Sequence, residues 1–203
     1  MPFKLTQMNK EQNQPQDNRI AIPPVFQADA TGEPFKNCVM CARNLLEPGV
    51  RYMIEKAFRC NRKNNTTDTL LEYAICNVCR EKITASLSKE SMQRMEDYFF
   101  RNLQTVFRNL FLKGTDVNEW IAACAVKGKA LKDCAEYQIC CECEGDSIVL
   151  SHLPLMLCDE ALEEMQGLLS AQTKEELDRF RDEFLGIPPE WRELLKERTP
   201  VFV

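Results

Sequence analysis

The residues of this chain with the plainest chemistry are two cysteine pairs, Cys38-Val39-Met40-Cys41 and Cys76-Asn77-Val78-Cys79. Each is a C-x-x-C, a spacing that lets one tight turn aim two thiols at a common point. The pairs lie 34 residues apart, so two turns brought together offer four thiolates to one tetrahedral zinc ion. Cys38, Cys41, Cys76 and Cys79 are therefore the candidate metal ligands, and one zinc is expected.

A second grouping is Cys134, Cys140, Cys141, Cys143, His152 and Cys158. Cys140 and Cys143 have knuckle spacing, and Cys158 enters a helical pattern as Cys76 does. The position matching Cys79 is Ala161, so a fourth ligand is missing from its place. Either Cys134, Cys141 or His152 replaces it in another geometry, or the site has decayed. Cys140, Cys143 and Cys158 with a water molecule would make an open, catalytic zinc, with Glu142 or Glu144 as base. The chain's single histidine and the lack of a His-x-Glu with Pro-Cys-x-x-Cys speak against that chemistry. No phosphate loop, dinucleotide fingerprint, His-Glu-x-x-His or Gly-x-Ser-x-Gly occurs. No catalytic residue is assigned.

The elements that must position these thiols are legible in the periodicity. Tyr52, Ile54, Phe58 and Cys60 alternate along one predicted strand, and Leu71, Tyr73 and Ile75 along another, with a polar turn over 61–68 between them. The two cysteine pairs are thus joined by a β-hairpin. A helix follows Cys79, and Ser88 caps a longer one reaching residue 112. Further short strands are read at 136–140 and 147–150. Helices follow at 159–169, from a capping box at Thr173, and after Pro188-Pro189.

Knuckle, hairpin, then a helix whose first turn carries the last two cysteines: over residues 37–88 this resembles the treble-clef and zinc-ribbon-like group of zinc fingers. The resemblance rests on Cys38, Cys41, Cys76 and Cys79, and it implies a metal and a local fold. Laying Cys76 on Cys158 pairs Leu87-Ser88 with Leu169-Ser170, Met95 with Leu177 and Tyr98 with Phe180. A competing echo sets Glu72–Cys76 on Glu136–Cys140. The expected architecture is α+β: an extended or flexible arm over 1–36, a zinc-binding module with a long helix over 37–128, and a smaller, acidic, degenerate copy over 129–203.

Charge narrows the function. Residues 101–203 hold 12 Lys and Arg against 19 Asp and Glu, which accounts for the net charge of −5. Such a field repels phosphate backbones, so nucleic acid is an unfavoured partner. The basic residues that could oppose this reading are Lys56, Arg59, Arg62 and Lys63 near the hairpin turn. Eleven cysteines without a secretory pattern at the start point to reduced thiols and a cytoplasmic setting. The expectation is a non-catalytic zinc protein that contacts other proteins or itself. The alternatives are a nucleic-acid-associated regulator using the hairpin patch and a zinc enzyme at the second cysteine cluster.

Overall fold

Alternating apolar residues on both sides of a polar turn make the expected hairpin. The computed structural model describes residues 18–110, 114–151 and 153–186. In it β2 (Arg51–Asn61) pairs antiparallel with β3 (Thr66–Cys76), from Tyr52 opposite Cys76 to Asn61 opposite Thr66. Asn65 closes the turn with φ 50°, a conformation its short polar side chain tolerates.

The alternation predicted one buried face, yet Tyr52, Met53, Ile54, Glu55 and Lys56 are all buried. The reason is tertiary. β2 is an inner strand, paired on its other edge with β4 (Glu136–Glu144), and each of its faces is covered. Under one face lies α1 (Asn77–Ser86), whose Arg80 reaches Met53. The other face meets residues 22–29: Lys56 Nζ donates to the carbonyl of Gln27 at 2.8 Å and pairs with Asp29.

That covering segment belongs to the stretch expected to be an extended or flexible arm, and from Arg19 to Asp29 it packs on the sheet. β1 (Arg19–Ala21) adds to the sheet through β5 (Ser147–Val149), and Phe26 is wholly buried. Burying a phenylalanine contributes about 1.5–3 kcal/mol, enough to hold a short segment that makes few backbone pairings of its own. Residues 1–17 lie outside the described residues. The sheet order is β1-β5-β4-β2-β3, and β6 (Leu155–Cys158) also pairs with β4.

Helices close the chain on this sheet. α2 (Lys89–Leu110) follows α1, α3 (Val117–Ile121) starts at an Asp116 cap, and α4 (Asp159–Leu168) and α5 (Ala171–Phe184) follow β6. The box read at Thr173 moves back three residues: Ser170 is the cap, and its Oγ accepts the Thr173 N–H at 3.2 Å. Ser88 caps α2 in the same way, accepting from Ser91 N–H at 3.1 Å.

The two caps also serve each other. Ser88 N–H donates to Thr173 Oγ1 at 3.0 Å, Ser170 N–H donates to Ser91 Oγ at 2.8 Å, and the two cap hydroxyls meet at 2.9 Å. Ser91 and Thr173 are both fully buried, so this exchange satisfies polar groups that would otherwise be costly. No helix among the described residues is long and apolar enough to cross a membrane. Side chains 103–113, His152 and the proline-started helix near 188 lie outside the described residues.

Candidate metal centre

Cys38 opens a tight turn. Its N–H donates to Arg43 O and its carbonyl accepts Ala42 N–H, both at 2.9 Å. The turn requires Ala42 to take φ 56°, a left-handed conformation that costs a residue with a β-carbon. The Val39 N–H bonds Ala74 O at 2.9 Å, which docks the turn beside the end of β3. There Cys76 leaves the strand and Cys79 falls in the first turn of α1.

The four sulfurs converge, all within 4.8 Å of one another. Cys41 Sγ and Cys76 Sγ are 3.8 Å apart. A tetrahedral ion with metal–sulfur bonds of about 2.3 Å spaces its sulfurs about 3.8 Å apart. The quartet can therefore hold a metal ion, with Cys38, Cys76 and Cys79 buried and Cys41 at the surface. All cysteines are free thiols.

The surrounding backbone favours anionic sulfur. The Cys76 N–H points at Cys38 Sγ from 3.4 Å. Burial alone would raise the Cys38 thiol, but the N–H groups of Cys76, Cys41 and Met40 bring it down to about 7. Cys79 goes the other way, pushed up by burial and by the neighbouring Cys41 and Cys76 sulfurs. Burial likewise raises Cys76. Four crowded thiols resist ionising together, and a bound dication reverses that balance. The start of α1 adds the positive end of the helix dipole.

A turn with the same backbone occurs at Cys124, a residue the sequence reading did not place in a site. The Cys124 N–H donates to Lys129 O, and Gly128 N–H to Cys124 O, both at 2.8 Å. Gly128 takes φ 68° where the first turn has Ala42. The Ala125 N–H bonds Met156 O at 2.8 Å, and Cys158 N–H points at Cys124 Sγ from 3.3 Å. The available signal was Cys124-Ala-Val-Lys-Gly128, a knuckle whose second cysteine is lysine.

The second cluster distributes differently from its reading. Cys140 and Cys143 sit inside the continuous strand β4, where odd spacing sends them to opposite faces, so they form no knuckle. Cys158 lies opposite Tyr137, and Leu155 opposite Cys140. Burial pushes Cys158 up to about 12 and Cys134 to about 11. Among the described residues the first quartet is the grouping with metal-holding geometry.

The hairpin cations are largely engaged. Lys56 pairs with Asp29 and Glu72, Arg59 with Glu136 at 2.7 Å, and Arg62 donates to Asp133 O at 2.7 Å. A shallow groove of about 180 Å³ lies between α1 and α5, lined by Met40, Ile83, Phe180 and Phe184. No family model, curated protein or solved structure matches the chain.

Proposed function

We propose that this is a non-catalytic zinc protein in which the ion fixes a surface for protein contacts. The observation that carries the reading is the completeness of the quartet. Four cysteines converge within 4.8 Å, a soft, closed donor set that suits structural zinc and leaves no position for substrate. The turn, hairpin and helix that supply them support the treble-clef reading of residues 37–88.

The matched turns at Cys38 and Cys124 support an internal duplication. Its register comes from the strand pairings: Tyr52 lies opposite Cys76, and Tyr137 opposite Cys158. Tyr137 then corresponds to Tyr52, which favours the Cys76-on-Cys158 alignment over the Glu136–Cys140 echo. Glu55 and Cys140 correspond to each other and lie directly opposite in β2–β4, where a two-fold axis between halves would pass.

Exposed apolar side chains favour contacts with another protein. Val78, between Cys76 and Cys79, is 51% exposed and Phe100 on α2 is 71% exposed. The groove beside Met40 is smaller than the roughly 300–1,000 Å³ typical of small-molecule sites. The engaged state of Lys56 and Arg59 weighs against the nucleic-acid alternative. The strand positions of Cys140 and Cys143 weigh against a zinc enzyme there.

Hydrogen exchange before and after chelation tests this reading. Metal removal should abolish protection in β3 and α1, because structural zinc contributes folding energy outright. Unchanged protection after complete metal removal would overturn it.

A further inference from the structure

We propose that Cys124, Lys127, Cys158 and Ala161 are the four corners of a second metal cradle, from which two thiolates have been replaced. The inference rests on the reading of the chain as two related halves, and it names the positions at which that relation is chemical.

Backbone, burial and hydrogen bonding agree corner by corner. Cys124 and Cys158 stand where Cys38 and Cys76 stand, each pair linked by an N–H aimed at sulfur, at 3.3 Å and 3.4 Å. The Lys127 N–H points at Cys124 Sγ from 3.4 Å. The first half has the same relation, with the Cys41 N–H turned toward the Cys38 sulfur. The Ala161 N–H faces the Cys158 sulfur as the Cys79 N–H faces that of Cys76. Three corners are buried and one exposed in both cases: Cys38, Cys76 and Cys79 with Cys41, against Cys124, Cys158 and Ala161 with Lys127. Neither set of N–H···S bonds is needed by an ordinary apolar core, whereas both suit anionic sulfur.

The two replacements account for metal loss. Ala161 is fully buried and ends at its β-carbon, where the first half has a sulfur. Lys127 puts a cation on the corner where the first half has a thiolate, and its ammonium pairs with Glu164 of α4 at 2.6 Å. Tyr98 of α2 donates to the other oxygen of that carboxylate at 2.8 Å. The second turn is thus tied to its helix by an ion pair instead of a metal. Cys140 and Cys143 have no part in it.

Cobalt titration of the full chain, followed by tetrahedral thiolate absorption and metal analysis, tests the assignment. Wild type should bind one ion per chain. The double variant Lys127→Cys/Ala161→Cys should bind two, and adding Cys124→Ser should return it to one. A folded double variant that still binds one, or a second ion that survives Cys124→Ser, overturns the assignment. If the double variant is insoluble, Lys127→Cys alone decides. It adds a third thiolate, at the exposed corner, and should add a weaker second ion, and the absence of that ion overturns the proposal. Failure of the first site reads differently: wild type would bind none while the double variant still gained one.

Discussion

The turn at Cys38 and the turn at Cys124 share hydrogen bonds, a left-handed fifth residue and a docking partner two residues before a helix-entry cysteine. Their side chains differ. The first turn gathers four sulfurs, and the second gathers two sulfurs, an ion pair and an alanine. One backbone therefore supports two ways of fastening a loop to a helix. A metal supplies most of its strength at a single point, while an ion pair at the surface supplies little and leaves the rest to packing.

The largest expected effect comes from striking matched positions. Cys79→Ser should abolish metal binding and remove on the order of 10 kcal/mol of metal-coupled stability. Cys158→Ser should cost about 1–3 kcal/mol, the range for disturbing a buried polar contact. Denaturant titrations of both variants with zinc present give the comparison. Equal losses would break the asymmetry between the halves.

The exchanged caps should come next. Ser91→Ala and Thr173→Val each leave buried groups unpaired and should cost about 1–3 kcal/mol. A double-mutant cycle should show coupling, since the two sites share partners through Ser88 and Ser170. Simple additivity would mean that the halves are not fastened there.

Smaller effects separate the turns themselves. Ala42→Gly should stabilise the first turn by roughly 1 kcal/mol, and Gly128→Ala should destabilise the second by at least as much. Thermal melts suffice to read both. A loss of stability on Ala42→Gly, or a gain on Gly128→Ala, would contradict the shared left-handed backbone.

The smallest effect is electrostatic. Lys127 and then Tyr98 hold the Glu164 carboxyl below its ordinary value of 4.5. A lowered carboxyl contributes stability above its unfolded pKa and loses it as pH falls through the folded one. Glu164→Gln should therefore flatten part of the stability loss below pH 4.5. Added salt should shrink the difference between the variant and wild type. An unchanged acid limb would remove the ion pair from the comparison.

Much of this was legible in the sequence, and the reasons for the rest are physical. The Cys38–Cys79 quartet and its hairpin follow from local spacing and alternation. The burial of Glu55 and Lys56 does not, because it depends on β4 and on residues 22–29 covering a strand from afar. Cys140 and Cys143 have knuckle spacing, but the spacing carries no record of strand pairing on both sides. Lys127 hid the second turn, since a knuckle is recognised by its cysteines while its backbone depends on a few carbonyls and one left-handed residue, Ala42 in the first turn and Gly128 in the second. The Ser88 cap is legible from its side chain ahead of an amphipathic run, whereas Thr173 competes with Ser170 for the second cap because both belong to one capping turn.

X-ray absorption at the zinc edge of the purified full chain, combined with metal analysis, tests the central claim most directly. One zinc per chain with four sulfur neighbours at about 2.3 Å is the expected result. A chain that binds no zinc, or whose single zinc has nitrogen or oxygen neighbours, would contradict the assignment of Cys38, Cys41, Cys76 and Cys79 as a closed structural site.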